Sequence, residues 1–236
     1  MGIIAADLFL TLDGVYQAPG GRGEDTSGGF EHGGWQAPFP DATVGESIMA
    51  SIQRTDALLL GRRTYDIFSG YWPFQSPDDP VAARFAAIPK FVVSRTLQDP
   101  SWADTTVLRD PAEVAPLRDR FGEVHTWGSG QLLRALLAAG LLDRLNLWLY
   151  PVALGSGKRL FEAGVAPTTF RPAQPARVSE SGVMTLVLEP VGGVETGEVD
   201  DTRPEAPARD SDTGDAAGEP PGPTRALHDR GQSARA

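Results

Sequence analysis

Strand-like and helix-like segments alternate along residues 1–194, and this alternation constrains the fold more than any other feature of the sequence. The apolar run at residues 3–12 predicts a strand, and residues 41–54 predict a helix, because apolar side chains recur there every four positions. Further strands are expected at 57–60, 90–95, 123–127, 144–154 and 183–191, and further helices at 64–68, 81–87 and 131–139. Strands that alternate with helices are typical of a parallel sheet, so we expect the α/β class. The order of the last two strands predicts an antiparallel pair at the end of a mostly parallel sheet.

Local signals mark two helix ends clearly. The segment Asp110-Pro111-Ala112-Glu113 predicts a helix start, with Asp110 as the cap and Glu113 closing a capping box. Gly140 is expected to end the helix at 131–139.

Composition excludes several classes of site. The chain of 236 residues has no cysteine, so disulfides, thiolate metal sites and a cysteine nucleophile are excluded. Its three histidines are scattered without ligand spacing, so no metal site is expected. The N-terminal apolar run is interrupted by Asp7 and lacks a basic start, and no apolar run reaches the ~20 residues of a membrane helix. We therefore expect a cytoplasmic protein without a membrane partner.

The net charge of −10 is distributed unevenly. Residues 195–236 contain ten acidic and five basic residues and no aromatic residue, so this segment carries half of the net charge. Such a composition cannot bury enough apolar surface to offset its ordering entropy, which predicts a disordered tail after a single domain at 1–194. The acidic balance of the domain argues against nucleic acid as a partner.

A glycine-rich stretch at residues 20–34 separates the first strand from the first helix. It contains seven glycines in 15 residues. A connection of this length is typical of a lid or a binding loop, and a flexible insertion is the alternative.

Two other glycine motifs do not match known phosphate-binding fingerprints. The GSGK segment at 155–158 lacks the earlier glycine and the final Ser or Thr of a P-loop. The segment starting at Gly128 has Leu133 where a dinucleotide fingerprint requires glycine. The sequence also lacks the Gly-x-Ser-x-Gly pattern of a hydrolase nucleophile.

Three predicted strands end in segments suited to binding phosphate. Because the carboxyl ends of parallel strands lie along one edge of a sheet, these segments would line one crevice with N–H groups, hydroxyls and guanidinium groups. Each segment alone has a structural alternative, since glycine often ends strands and surface arginine is mostly solvated. The segments are Gly61-Arg62-Arg63-Thr64, Ser94-Arg95 and Gly128-Ser129-Gly130-Gln131.

Several motifs, in order along the chain, resemble the dihydrofolate-reductase-like superfamily, and specifically the reductase domain of the riboflavin-pathway deaminase-reductase. They are TLDGV, LLLGRRTYDIFSGYWP, FVVSRTL and WGSGQLLRALLAAGLLDRLNLWLYPVALGSGKRLF. The resemblance covers about residues 1 to 190. It implies a three-layer α/β/α fold, dependence on NADPH, hydride transfer acting on CH–OH or CH–NH groups, and a homodimer.

The resemblance also implies cofactor contacts. Gly61, Arg62, Arg63 and Thr64 match the turn at the cofactor phosphates, where paired arginines favour the 2′-phosphate of NADPH and bidentate geometry disfavours lysine. Ser94 and Arg95 match adenosine-side contacts. The segment from Gly128 to Gln131 matches the turn under the pyrophosphate and nicotinamide. A cis peptide seen there in relatives would cost about 3 to 4 kcal/mol before Ser129.

On the substrate side, Asp13 and Gly14 match the Leu-Asp-Gly turn beside the nicotinamide. Trp35 and Asp41 resemble the segment that places a pterin-binding carboxylate, with spacing that differs by one residue. Asp41 could bind an amino-pyrimidine edge and assist protonation, or it could simply cap the first helix. Asp13 could likewise be only a turn residue.

The resemblance therefore implies hydride transfer from NADPH to a small heteroaromatic or ribosylamino-pyrimidine substrate. The closest activities would be 5-amino-6-(5-phosphoribosylamino)uracil reductase and dihydrofolate reductase. The alternative is a binding protein for NADPH or pterin that keeps the fold without turnover.

Overall fold

A nine-stranded sheet organises the protein in the computed structural model, which describes residues 1–198. The strands are β1 (Ile3–Thr11), β2 (Ala57–Gly61), β3 (Lys90–Val93), β4 (Thr105–Leu108), β5 (Glu123–Trp127), β6 (Arg144–Tyr150), β7 (Thr169–Pro172), β8 (Arg177–Val178) and β9 (Met184–Gly192). The helices are α1 (Ala42–Arg54), α2 (Arg62–Ser69), α3 (Pro80–Ala87) and α4 (Gly130–Ala138). Short 3₁₀ helices span Ser27–Gly29, Trp72–Phe74 and Pro111–Asp119.

The strand order is β4-β3-β2-β5-β1-β6-β9-β7, and β8 also pairs with β9. All neighbours from β4 to β6 are parallel. The strand β9 runs antiparallel to β6, and β7 and β8 run antiparallel to β9. This arrangement confirms the predicted mostly parallel sheet with an antiparallel C-terminal end.

Helices cover both faces of the sheet and give three layers. On one face, alternate β1 residues such as Ile4 and Leu8 pack in a core with Leu133 and Leu136 of α4. On the other face, α1, α2 and α3 pack in an aromatic-rich core. Because side chains along each strand point alternately to opposite faces of the sheet, they pack into two separate cores, one on each face.

Most predicted elements are present, and their differences have local causes. The capping box at Asp110 and Glu113 forms, but the helix that follows is a 3₁₀ helix with Pro116 inside it. A proline in the interior lacks the N–H that an α-helix needs there. The strands β4, β7 and β8 are not expected from the sequence, because they are short and most of their residues are not buried, so they lack a continuous apolar run.

One compact unit spans Met1–Glu195. The predicted disorder of residues 195–236 falls almost entirely outside the described residues. Within residues 1–198, no helix is long and apolar enough to cross a membrane.

Candidate functional site

A cavity of about 610 Å³ lies at the carboxyl edge of the parallel strands. Its walls come from the ends of β2, β3, β4 and β5, from the middle of β1, and from the chain that follows β1. The volume is in the range of small-molecule and cofactor sites. In open α/β sheets, ligands bind in the crevice at this edge.

Two strand-to-helix junctions are joined across the cavity floor. Gly61 N–H donates to Ser129 Oγ at 3.0 Å, and Ser129 N–H donates to Thr64 Oγ1 at 3.2 Å. The peptide between Gly128 and Ser129 is trans, with φ of 65° and 55° at the two residues. The left-handed conformation is unusual for serine, and its side chain compensates by bonding to the neighbouring turn.

The cationic side chains at the cavity differ in how they are paired. Arg62 Nε donates to both carboxylate oxygens of Asp66, at 2.9 and 3.0 Å. Arg63 donates to Asp25 at 3.0 Å, and Arg109 donates to the carbonyl oxygens of Ser94 and Leu97. Arg95 is exposed and has no ion pair within residues 1–198. Arg95 is therefore the guanidinium most available to a ligand.

The glycine-rich stretch is held to the cavity by Asp25. Lys158 Nζ donates to Asp25 at 2.6 Å and to Ser27 Oγ at 2.7 Å, while Arg63 donates to the other Asp25 oxygen. Burial alone would raise the pKa of Asp25, but the bonds from Lys158, Ser27 and Arg63 outweigh it and hold the pKa well below its usual range. The carboxylate is thus ionised and fully engaged.

A buried charged network lies beneath the cavity in the sheet itself. Asp7, which lines the cavity, accepts bonds from Ser51 Oγ at 2.6 Å and Asn146 Nδ2 at 2.9 Å, and faces His125 Nδ1 at 2.5 Å. His125 Nε2 lies 2.8 Å from Glu123. Burial disfavours the imidazolium, but the Asp7 and Glu123 carboxylates outweigh burial and raise the pKa of His125 to about 9. His125 therefore carries a proton at neutral pH.

The structure brings all the predicted cofactor-contact residues to this one cavity. They lie at three separate positions along the chain and converge because their strands are parallel neighbours. The cavity-lining members are Gly61, Arg62, Arg63, Thr64, Ser94, Arg95, Gly128, Ser129, Gly130 and Gln131.

The predicted substrate-side residues Asp13 and Gly14 lie outside the cavity lining. Asp13 accepts bonds from Thr11 Oγ1, the N–H groups of Leu154 and Gly155, and Arg159. Burial opposes ionisation, but these bonds together outweigh it and lower the pKa of Asp13 to about 2. Asp13 thus stabilises the turn after β1 through these hydrogen bonds, and Gly14 adopts a positive φ of 77° in the same turn.

Asp41 and Trp35 also lie outside the cavity lining. Asp41 caps α1 by accepting from Val44 N–H at 3.1 Å, and its other oxygen accepts from Ser181 N–H at 3.1 Å. These bonds lower the pKa of Asp41 to about 2. Trp35 is buried and donates to the Gln17 carbonyl at 2.8 Å. Of the two alternatives for Asp41, the structure shows the helix cap, and Asp41 does not line the cavity.

Several cavity residues were not singled out by the sequence. Asp25 and Lys158 are 133 positions apart and meet only in the folded chain. Tyr16 and Gln17 follow the first strand without a motif of their own. The glycine-rich stretch was the available signal for Asp25, and its first part does line the cavity.

Comparison with known proteins identifies the family. The model of the RibD C-terminal domain family matches residues 3–183. The chain belongs to this family. It is also 26% identical over 166 residues to the uncharacterized protein YyaP of Bacillus subtilis (strain 168), an alignment that covers 67% of this chain and 79% of YyaP.

Solved structures share the fold at low identity. A putative riboflavin biosynthesis protein from Shewanella sp. PV-4 superposes with a TM-score of 0.61 at 19% identity, covering 80% of this chain and 99% of that one. A pyrimidine reductase-like protein from Corynebacterium diphtheriae gives 0.52 at 15% identity, covering 81% and 92%. RibD of Acinetobacter baumannii gives 0.52 at 13% identity, covering 81% of this chain and 58% of that chain. These similarities confirm the predicted α/β fold.

Proposed function

We propose that this protein is an NADPH-dependent reductase that delivers hydride to a small heteroaromatic or ribosylamino-pyrimidine substrate. Membership of the RibD C-terminal domain family supports the coarser class, an oxidoreductase of the reductase type. The observation that carries the finer proposal is the convergence of three strand-end segments on one cavity.

The residues of the cavity fit a dinucleotide phosphate. The helices α2 and α4 begin at Arg62 and Gly130, so their first N–H groups, which have no partner within the helix, lie at the cavity. Arg95 adds an unpaired guanidinium suited to bidentate contact with a phosphate. When bound, NADPH would supply the hydride, and the junctions at Gly61 and Gly128 would orient it.

One observation favours a uracil-like substrate over a pterin. An amino-pyrimidine edge binds to a carboxylate, and Asp41, which the resemblance matches to the pterin-binding carboxylate, lies outside the cavity lining. Among the cavity carboxylates, Asp7 and Asp25 accept hydrogen bonds through both oxygens, whereas Glu24 and Asp110 accept through one oxygen each. Pterin compounds therefore stay in the substrate panel.

The Arg95→Ala variant tests the cofactor proposal. If Arg95 binds the 2′-phosphate, the variant should lose at least about tenfold in affinity for NADPH, or about 1.4 kcal/mol, and little affinity for NADH. Quenching of intrinsic tryptophan fluorescence measures both affinities, since Trp127 lines the cavity.

Arg171→Ala is the matched control, because Arg171 lies on β7, away from the cavity lining, and pairs with Glu189 at 2.9 Å. Equal affinities of the wild-type protein for NADPH and NADH, or an unchanged NADPH affinity in Arg95→Ala, would contradict this assignment. Oxidation of NADPH in the presence of a panel of uracil, ribosylaminopyrimidine and pterin compounds separates turnover from binding alone.

Three further properties are proposed without direct support from the cavity. The resemblance implies a homodimer, and the composition favours a cytoplasmic location and no nucleic-acid or membrane partner. The small-molecule substrate remains the principal partner in this proposal.

A further inference from the structure

Tyr16 is fixed at the start of α4, beside the turn between β5 and that helix. Its N–H donates to the Lys158 carbonyl at 3.0 Å, which anchors the backbone after β1. Its ring packs directly on Gly130. A Cβ built at residue 130 would lie 2.4 Å from Tyr16 Cζ and 2.6 Å from Tyr16 Oη, distances that real Cβ atoms do not adopt. Gly130 is therefore required by the close approach of this phenol ring.

Tyr16 lines the cavity, and its hydroxyl has no hydrogen-bond partner among residues 1–198. Other buried tyrosines differ, because the Tyr65 hydroxyl accepts from Trp102 N–H and the Tyr150 hydroxyl accepts from Gln36. A half-buried phenol hydroxyl without a hydrogen-bond partner costs free energy unless a ligand or a water molecule forms a hydrogen bond with it. This hydroxyl is thus available to a bound molecule.

Three other ionisable groups of the cavity are already engaged in hydrogen bonds. Lys158 donates to Asp25 and Ser27, and Glu24 accepts from the N–H groups of Gly20 and Gly21. Asp7 is bonded to three side chains. A reduction by hydride transfer also consumes a proton. Unlike the three groups above, Tyr16 carries a dissociable proton that is not in a hydrogen bond within residues 1–198.

We propose that Tyr16 is the catalytic proton donor of the reductase, an inference that rests on the proposed function. The substrate carbon of a C=N or C=O bond, or of a conjugated C=C bond, accepts hydride. The π electron pair moves to the far atom of the bond or of its conjugated system, and that atom takes the Tyr16 phenolic proton. The tyrosinate then regains a proton from water, so one hydride and one proton are added to the substrate in total.

The surroundings keep the phenol protonated before the reaction. Burial raises the pKa of Tyr16, Arg134 opposes this increase, and the negative charges of Glu162 and Asp25 add to it. At neutral pH the hydroxyl therefore bears its proton and donates it only to a strongly basic atom, such as one that becomes negative during hydride transfer.

Carbon-13 NMR of protein labelled at tyrosine Cζ tests the location without a known substrate. The four tyrosine signals are assigned with Tyr→Phe variants. NADP⁺ should shift the Tyr16 signal, whereas adenosine 2′,5′-bisphosphate, which lacks nicotinamide, should leave it in place. A Tyr16 signal that stays unchanged while NADP⁺ binds would overturn the inference and leave the proposed function intact.

The Tyr16→Phe variant tests the proton transfer on the panel compound that the wild-type protein reduces fastest. We expect kcat to fall by about 100-fold or more, while the Kd for NADPH stays within about twofold, because the phenyl ring preserves the packing on Gly130. Tyr71→Phe is the control, since Tyr71 is 52% exposed and does not line the cavity. Wild-type kcat in Tyr16→Phe would overturn the inference, whereas a wild-type protein that binds neither nucleotide would overturn the proposed function and this inference with it.

Discussion

At the scale of single residues, the buried His125 makes the stability of the protein depend on pH. Its side chain is fully buried between Asp7 and Glu123, and its pKa of about 9 lies above the ordinary value of 6.5. A group whose pKa is raised by folding stabilises the folded state below its unfolded pKa and loses this contribution as pH rises through the folded pKa. The contribution is on the order of 3 kcal/mol for such a shift.

We therefore expect the His125 contribution to the free energy of unfolding to fall as the pH rises from 6.5 to about 9, and to be lost above that range. His125→Gln should be less stable at pH 6.5 and should lack most of this pH dependence, as measured by urea denaturation at each pH. The exposed His32 provides a control, because His32→Gln should keep the wild-type profile. The same pH slope in His125→Gln and in the wild-type protein would refute this explanation.

At the scale of elements, the Asp25 carboxylate makes the charged contacts that hold the glycine-rich stretch to the rest of the protein. Asp25 joins it to Lys158 and to Arg63 of α2, and Gln17 Nε2 donates to the carbonyl oxygens of Asp25 and Ser27 at 3.0 Å. Glycine loses much conformational freedom on ordering, so few contacts have to offset a large entropy cost. Removal of the charge at Asp25 should release this segment while the sheet stays folded.

Limited trypsin digestion measures this release, because Arg22 is exposed within the segment. Asp25→Asn should be cleaved after Arg22 about tenfold faster than the wild-type protein, which corresponds to about 1.4 kcal/mol of local stability. Asp99→Asn changes an exposed aspartate outside the cavity lining and should leave the rate unchanged. Equal cleavage rates for Asp25→Asn and the wild-type protein would mean that other contacts hold the segment.

The elements also show which features a sequence can predict. Strand ends of a parallel sheet meet at one edge, so the positions of Gly61, Ser94 and Gly128 followed from local patterns and one topological rule. The pairing of Asp25 with Lys158 depends on two loops whose conformations are set by contacts over long sequence separations, and no local pattern encodes it. Asp41 shows the converse, because a cap and a substrate ligand share the same local sequence signal, and only tertiary structure distinguishes them.

At the scale of the whole molecule, one end of the sheet is incompletely covered. The strand β9 has neighbours on both edges, yet none of its residues is buried, whereas most residues of β6 are. Val178 on β8, paired with β9, is 69% exposed. A strand with neighbours on both edges and half-exposed faces lacks covering elements within residues 1–198, and exposed apolar surface of this kind favours association with a second chain.

This uncovered end gives the proposed homodimer a specific location. Val178→Glu should shift the molar mass in solution from that of two chains toward that of one chain, because a charge buried at an interface without a partner is costly. Light scattering during gel filtration measures the mass. Phe74→Glu is the control, since Phe74 is 79% exposed but lies in the 3₁₀ helix after α2, outside the antiparallel end of the sheet. A wild-type protein with the mass of one chain would refute the dimer, whereas a dimer that persists in Val178→Glu would place the interface elsewhere.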